Sequence, residues 1–264
     1  MVDKSEKFRW LVRLGYAARG LVYVLIGYLA LSASRGDRGP EGAFAWLQDV
    51  PLGVPLLYLA AVGLVGYALY RFCSVLLDVE NHGSGTSGIL FRIGHGASGL
   101  AHLALAYTAF EFADGHKRAA SDGGAEAAAG TMLSVSFGSL VLGAIGLGFL
   151  LGAAMQAKSA VTRDFMRQVS SRAPAVVQFL GRIGLAARAV VFAIIGWSLV
   201  QSAWLSSTAR VKTLGEAVDS LAGHGTLYTL VAVGLLLFGV FSLLLARYVI
   251  VADLDRQDLR PTLH

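Results

Sequence analysis

Polar positions along this chain fall into short intervals, and between them run six apolar stretches, at residues 13–33, 52–72, 92–112, 133–156, 182–203 and 226–250. Each approaches or exceeds the roughly 18–20 residues with which a helix crosses a hydrocarbon layer about 30 Å thick. The pattern predicts an all-α integral membrane protein of six transmembrane helices. Ala43 to Leu47, with Trp46 as anchor, reads as a short helix at the outer interface. Pro51 and Pro55 open the second span, where missing amide hydrogens cost least. Residues 114–130 read as a flexible or weakly helical outer loop, 77–86 as an inner turn, and 253–264 as a polar tail whose Asp253, Asp255 and Asp258 are solvated. In the inner linker, 158–179, Val161, Phe165 and Val169 recur every four residues opposite Arg163 and Arg167. That predicts a basic amphipathic segment on the inner membrane surface, ended by Pro174.

The apolar stretches are related to one another. Arg13-Leu14-Gly15-Tyr16-Ala17-Ala18-Arg19-Gly20 returns as Arg92-Ile93-Gly94-His95-Gly96-Ala97-Ser98-Gly99 and as Arg182-Ile183-Gly184-Leu185-Ala186-Ala187-Arg188-Ala189. A Gly-Leu pair follows in the next stretch each time: 48 residues separate Gly15 from Gly63, 52 separate Gly94 from Gly146, and 50 separate Gly184 from Gly234. Units 13–72, 92–156 and 182–250 are thus tandem copies of one helix pair within a single membrane domain. Because each unit crosses twice, all three share one orientation, and a pseudo-threefold ring of helix pairs is the expected arrangement. Positions small in every copy are expected as packing seams: Gly15/Gly94/Gly184, Gly20/Gly99/Ala189 and Gly27/Ala106/Gly196. In lipid, close backbone approach at such positions supplies the dispersion contacts that join helices. The thrice-repeated opening and its Gly-Leu partner helix resemble a family of bacterial six-helix membrane proteins designated a domain of unknown function. The resemblance implies this topology and residence in the bacterial cytoplasmic (inner) membrane. It implies no activity and no catalytic residues.

Composition agrees with the pattern, since 55% of the 264 residues are hydrophobic and only 15% charged, too apolar for one soluble core. The net charge of +5 is informative through its distribution. Placing both termini and the even-numbered loops on one side gathers sixteen of the 22 Lys and Arg residues there, leaving Arg35, Arg38, Lys117, Arg118, Arg210 and Lys212 opposite. By the positive-inside rule both termini are cytoplasmic, and the basic character reads as attraction to an anionic leaflet, not to nucleic acid. The lone Cys73 excludes an intramolecular disulfide and any multi-cysteine metal site, and is expected as a buried thiol.

Candidate chemistry sits on the odd-numbered spans. Arg13, Arg92 and Arg182 mark the inner interface, and Arg19 and Arg188 lie six residues deeper, about 9 Å along a helix axis. Those two either snorkel back to the headgroups or face the bundle interior, where a charge calls for a lipid phosphate, an anionic ligand or a carboxylate. The middle copy holds Ser98 at that depth. His95 and His102 share one face but stand about 10 Å apart, too far for one metal ion. They are expected in aromatic slots with a Tyr or Ser contact; axial ligation of haem is the alternative cofactor reading. Glu41, Glu126 and Glu216 precede the second helix of each unit and are expected as solvated residues, with a cation-attracting mouth as the alternative. No nucleotide-binding glycine loop, nucleophile elbow or zinc helix occurs. The sequence therefore predicts a non-enzymatic membrane protein that binds anionic lipid, or a membrane protein partner or second copy, through Arg13, Arg19, Arg92, Ser98, Arg182, Arg188, His95 and His102. A small-solute transporter or channel, and a haem redox protein, stand as alternatives.

Overall fold

The structure, a computed structural model, describes residues 4–31, 40–77, 85–115 and 124–250. The polar tail, the inner turn at 78–84 and the outer charges Arg35, Arg38, Lys117 and Arg118 lie outside the described residues. The helices are α1 (Lys4–Leu31), α2 (Pro40–Asp49), α3 (Gly53–Leu77), α4 (Thr86–Ala113), α5 (Gly124–Leu133), α6 (Gly138–Thr162), α7 (Val176–Leu205), α8 (Leu214–Asp219) and α9 (Gly225–Tyr248). Local chemistry sets their limits. Pro55 stands in the first turn of α3, Arg163 and Ser206 end α6 and α7 in the left-handed conformation, and Thr213 with Glu216 forms a capping box at the start of α8. The outer helix expected around Trp46 is α2, with Phe44 and Leu47 buried and Trp46 half-exposed beside Tyr28.

Among the described residues five segments are long and apolar enough to cross a membrane: Val12–Leu31, Gly53–Leu76, Gly138–Thr162, Val176–Leu205 and Leu214–Tyr248. The helix α4 is as long as α1 and is not among these five, its apolar run being interrupted by Arg92, His95, Ser98, His102 and Glu111.

Neighbouring helices meet across small residues. A Cβ added to Gly15 of α1 would lie 2.7 Å from the backbone nitrogen of Tyr67 on α3, and one on Gly184 of α7 would lie 2.6 Å from Cα of Phe238 on α9. The Gly-Leu glycines reciprocate: Gly63 lies against Ala18, and Gly234 against Ala187. Units are joined to each other at Gly20 and Gly27, which meet Leu243 and Leu236 of α9, at Gly99, which meets Phe72 of α3, and at Gly196, which meets Gly146 of α6. Ala106 and Ala189 are buried.

The middle unit departs from the expected ring. Gly94 is exposed, and a Cβ there would meet no described atom within 4 Å. Gly146, the counterpart of Gly63 and Gly234, packs on Gly196 and Val200 of α7 instead of on α4. The helices accordingly run α4–α3–α1–α9–α7–α6 in space, and α4 and α6 barely touch. The ring is open, for a physical reason: Gly143, Gly146 and Gly152 form a small-residue face that lets α6 approach α7 closely, and a helix cannot spend one face on two neighbours. Only 22% of the α6 span is buried inside the bundle, against 61% of the α1 span.

The inner linker also differs from its expected form. Arg163, at φ 64°, breaks the helical phase between Val161 and Phe165, so the four-residue spacing makes no continuous face. Val161 is 72% exposed, whereas Phe165 packs edge-on against Phe241 and Val169 is buried in an isolated antiparallel bridge to Val249.

Candidate functional site

Arg19 points inward. It is 5% exposed, its Nε donates to Ser242 Oγ on α9 (3.2 Å), and its Nη1 donates to Tyr67 Oη on α3 (2.5 Å). Ser242 is free to accept because its own hydroxyl hydrogen goes to the Phe238 carbonyl (2.9 Å). Two of the five N–H donors of Arg19 are thereby used on described groups. The guanidinium also stands over the rings of Tyr16 and Tyr67, 4.7 Å from each centroid.

A second arginine reaches the same phenol. Arg71, one turn beyond Tyr67 on α3, donates to Tyr67 Oη from Nε (3.0 Å) and Nη2 (2.7 Å). Two guanidinium groups therefore meet on one phenolic oxygen. Arg188 completes the group from α7. Its guanidinium carbon lies 4.4 Å from the centroid of Phe238, 4.8 Å from Phe192 and 5.3 Å from Tyr23. Arg19 lies 5.0 Å from that same Phe238 centroid, so the two cationic groups are within about 10 Å of each other. The Nε of Arg188 is enclosed with no hydrogen-bond partner among the described residues. Neither Arg19 nor Arg188 has a described carboxylate in contact.

On the α4 side the group is bounded by His102. This buried ring lies 4.5 Å from Tyr67, centroid to centroid, and its Nδ1 is 2.7 Å from the Ser98 carbonyl. That carbonyl can only accept, so Nδ1 carries the hydrogen and Nε2 is the acceptor. Ser98 thus serves through its backbone, and His102 occupies an aromatic slot with a serine contact.

The remaining candidates are not gathered here. Arg13 is half-buried beside Trp10, Arg92 is half-buried near the start of α4, and Arg182 is exposed, with Nε donating to the Ala160 carbonyl of α6 (3.0 Å). His95 is half-buried and stands two turns of α4 away from His102. Glu126 and Glu216 are exposed, and Glu216 is engaged in its capping box, its Oε2 accepting from the Thr213 amide (2.7 Å). Glu41 lies on α2, its side chain outside the described residues. No cluster of three metal-ligating side chains occurs among the described residues.

Tyr67 and Arg71 are the members that sequence reading passed over. Their signal was the spacing of four on one helix face, which aims an arginine at a phenol. A hollow of about 710 Å³ also opens on α7, lined by Ala193, Trp197, Gln201, Arg210 and Lys212 among others. Trp197 is nine residues, or about 180° of helix rotation, from Arg188. This hollow therefore lies on the opposite face of α7, and the buried Ser198 in its lining already donates to the Ile195 carbonyl of its own helix (2.8 Å), so the arginine group is the better candidate.

The family described as Domain of Unknown Function (DUF1206) matches residues 14–78, 93–163 and 183–249, one match for each unit. A Bacillus subtilis (strain 168) protein described as "Uncharacterized protein YxxB" is 30% identical over 261 residues, covering 93% of this chain and 94% of its own length. No solved structure matches the chain.

Proposed function

The chain belongs to the DUF1206 family through three copies of its domain, and from that premise we propose that it is a non-enzymatic, six-crossing protein of the bacterial inner membrane that binds an anion at Arg19, Arg71 and Arg188. The observation that carries this reading is the placement of Arg19 and Arg188 over one ring, Phe238, with no described carboxylate on either. A charge at this depth is costly without a partner, and three aromatic faces each worth about 0.5–2 kcal/mol only offset part of it. A phosphate or carboxylate supplies the missing charge and accepts from the unused N–H donors, with the bidentate geometry that guanidinium favours.

The reading of six crossings is supported by the length of α4, whose 28 residues span about 42 Å at 1.5 Å each. Its buried His102 turns inward to Tyr67 of the arginine group. Both termini are assigned to the cytoplasm, on the distribution of Lys and Arg between the two sides.

The test is lipid analysis of protein purified from membranes. Arg19→Gln together with Arg188→Gln should deplete co-purified anionic phospholipid, and Arg188→Gln alone, which breaks no described hydrogen bond, should reduce it. Lipid content and anion-induced thermal stabilisation unchanged in both variants would refute the assignment.

A further inference from the structure

We infer that the ligand of the arginine group is an anionic phospholipid of the inner leaflet, which enters sideways through the gap between α4 and α6. This rests on the anion-binding reading above and adds the ligand class and its route. In the first and third units the two helices close on each other, Gly15 against Tyr67 and Gly184 against Phe238. In the middle unit the matching position of α4, Gly94, meets no described atom within 4 Å of an added Cβ, because α6 has turned its glycines to α7. Among the described residues the bundle is therefore open between α4 and α6 and closed within the other two units.

That opening leads to the cations. Its α4 wall carries His102, which touches Tyr67, the phenol that accepts from Arg19 and Arg71. Its α6 wall carries Phe149 and Gly152, both against Phe192 at 5.2 Å between centroids and 3.4 Å from the added Cβ respectively; Phe192 in turn lies beneath Arg188. In the middle unit the positions equivalent to Arg19 and to Arg71 are Ser98 and Ala154. The charged residues thus come from the closed units and face the open one. Leu100 and Leu103 on α4, and Leu147 and Leu151 on α6, present exposed apolar side chains to the bilayer.

Charge and polarity together select the occupant. A free phosphate would have to shed its hydration while passing an apolar mouth. A phospholipid keeps its tails in hydrocarbon throughout, and its headgroup need sink only about 9 Å, the axial distance from Arg13 to Arg19. Phosphate on guanidinium then supplies the charge that the described residues lack.

The experiment places the protein in nanodiscs of zwitterionic lipid doped with phosphatidylglycerol bearing a photoreactive acyl chain, and maps the labelled peptides. Labelling should concentrate on residues 91–104 of α4 and 146–157 of α6, and fall about tenfold or more in the Arg19→Gln/Arg188→Gln variant, the scale set by losing charge-assisted hydrogen bonds. Gly94→Phe, which fills the gap at a position outside the site, should slow the appearance of label. Excess inorganic phosphate should not displace the probe. Arginine-dependent binding with label spread over other helices, or displacement by inorganic phosphate, would overturn the lateral route and leave the anion site standing. Labelling indifferent to the arginine substitutions would overturn the site itself.

Discussion

Substituting alanine for glycine at equivalent positions of the three units should have opposite effects, because only two of the units are closed. At Gly184 the new methyl would lie 2.6 Å from Cα of Phe238 and 2.7 Å from its Cβ. Carbon atoms rest at about 3.5–4.0 Å, so α7 and α9 must part by about 1 Å, and no flexible side chain can absorb the shift. Overpacking of this kind costs about 1–3 kcal/mol, while alanine gains about 0.5–1 kcal/mol over glycine within a helix. The net loss is about 1–2 kcal/mol. Gly15→Ala should behave alike, since its methyl would meet the backbone of Tyr67 at 2.7 Å. At Gly94 only the favourable part remains, and Gly94→Ala should be neutral or stabilising by up to about 1 kcal/mol. For a chain of this size each kcal/mol moves the thermal midpoint by about 2–4 °C. Unfolding in mild detergent, followed by circular dichroism, should therefore show Gly184→Ala and Gly15→Ala melting several degrees below the parent and Gly94→Ala at or above it. A Gly94→Ala midpoint as low as that of Gly184→Ala would mean that α4 and α6 are closed, and would remove the basis for a lateral opening.

Two further outcomes follow from the same geometry. Arg188→Met should raise the midpoint while weakening anion binding, because replacing a charged group whose enclosed Nε has no described acceptor by an apolar chain is neutral to stabilising by about 1–4 kcal/mol; Arg19→Met should lower it, since it breaks the hydrogen bonds to Ser242 and Tyr67, and identical shifts for the two would refute the distinction. In a Cys73→Ser background, a cysteine at Ser136 should react with an impermeant thiol reagent in intact spheroplasts and one at Gly85 only after lysis; labelling of both from the same side would show that α4 does not cross.

The helices were legible because hydropathy and length decide them: α3, α7 and α9 occupy nearly the residues their apolar runs indicated. Arg19 and Arg188 were legible as a matched pair, but which way they pointed was not. A snorkelling arginine and an inward one share the same sequence, and the choice depends on whether a partner helix presents an acceptor, here Tyr67 and Ser242. The opening in the middle unit was hidden for a similar reason. Gly94 stands two residues after an arginine, as Gly15 and Gly184 do, but the residue on the second helix that covers the glycine is Tyr67 in one unit and Phe238 in another, while its counterpart Leu150 lies against Gly196. A flat ring can cover a glycine and still reach the axis of the bundle. Leucine has less reach, and the glycine-rich face of α6 had a better partner in α7. The break in the linker was not legible, because Arg163 adopts a left-handed conformation that periodicity does not register.

The pairing of α1 with α9 has a consequence for biosynthesis. Gly20 and Gly27 find their partners in Leu243, Gly239 and Leu236, more than 200 residues later in the chain. A ribosome delivering these helices in order leaves the first with a bare glycine face until the last has entered the membrane. The seam between α1 and α9 is therefore a contact of high sequence separation that can close only after the rest of the chain is made, and a chain cut short of α9 leaves it unfilled.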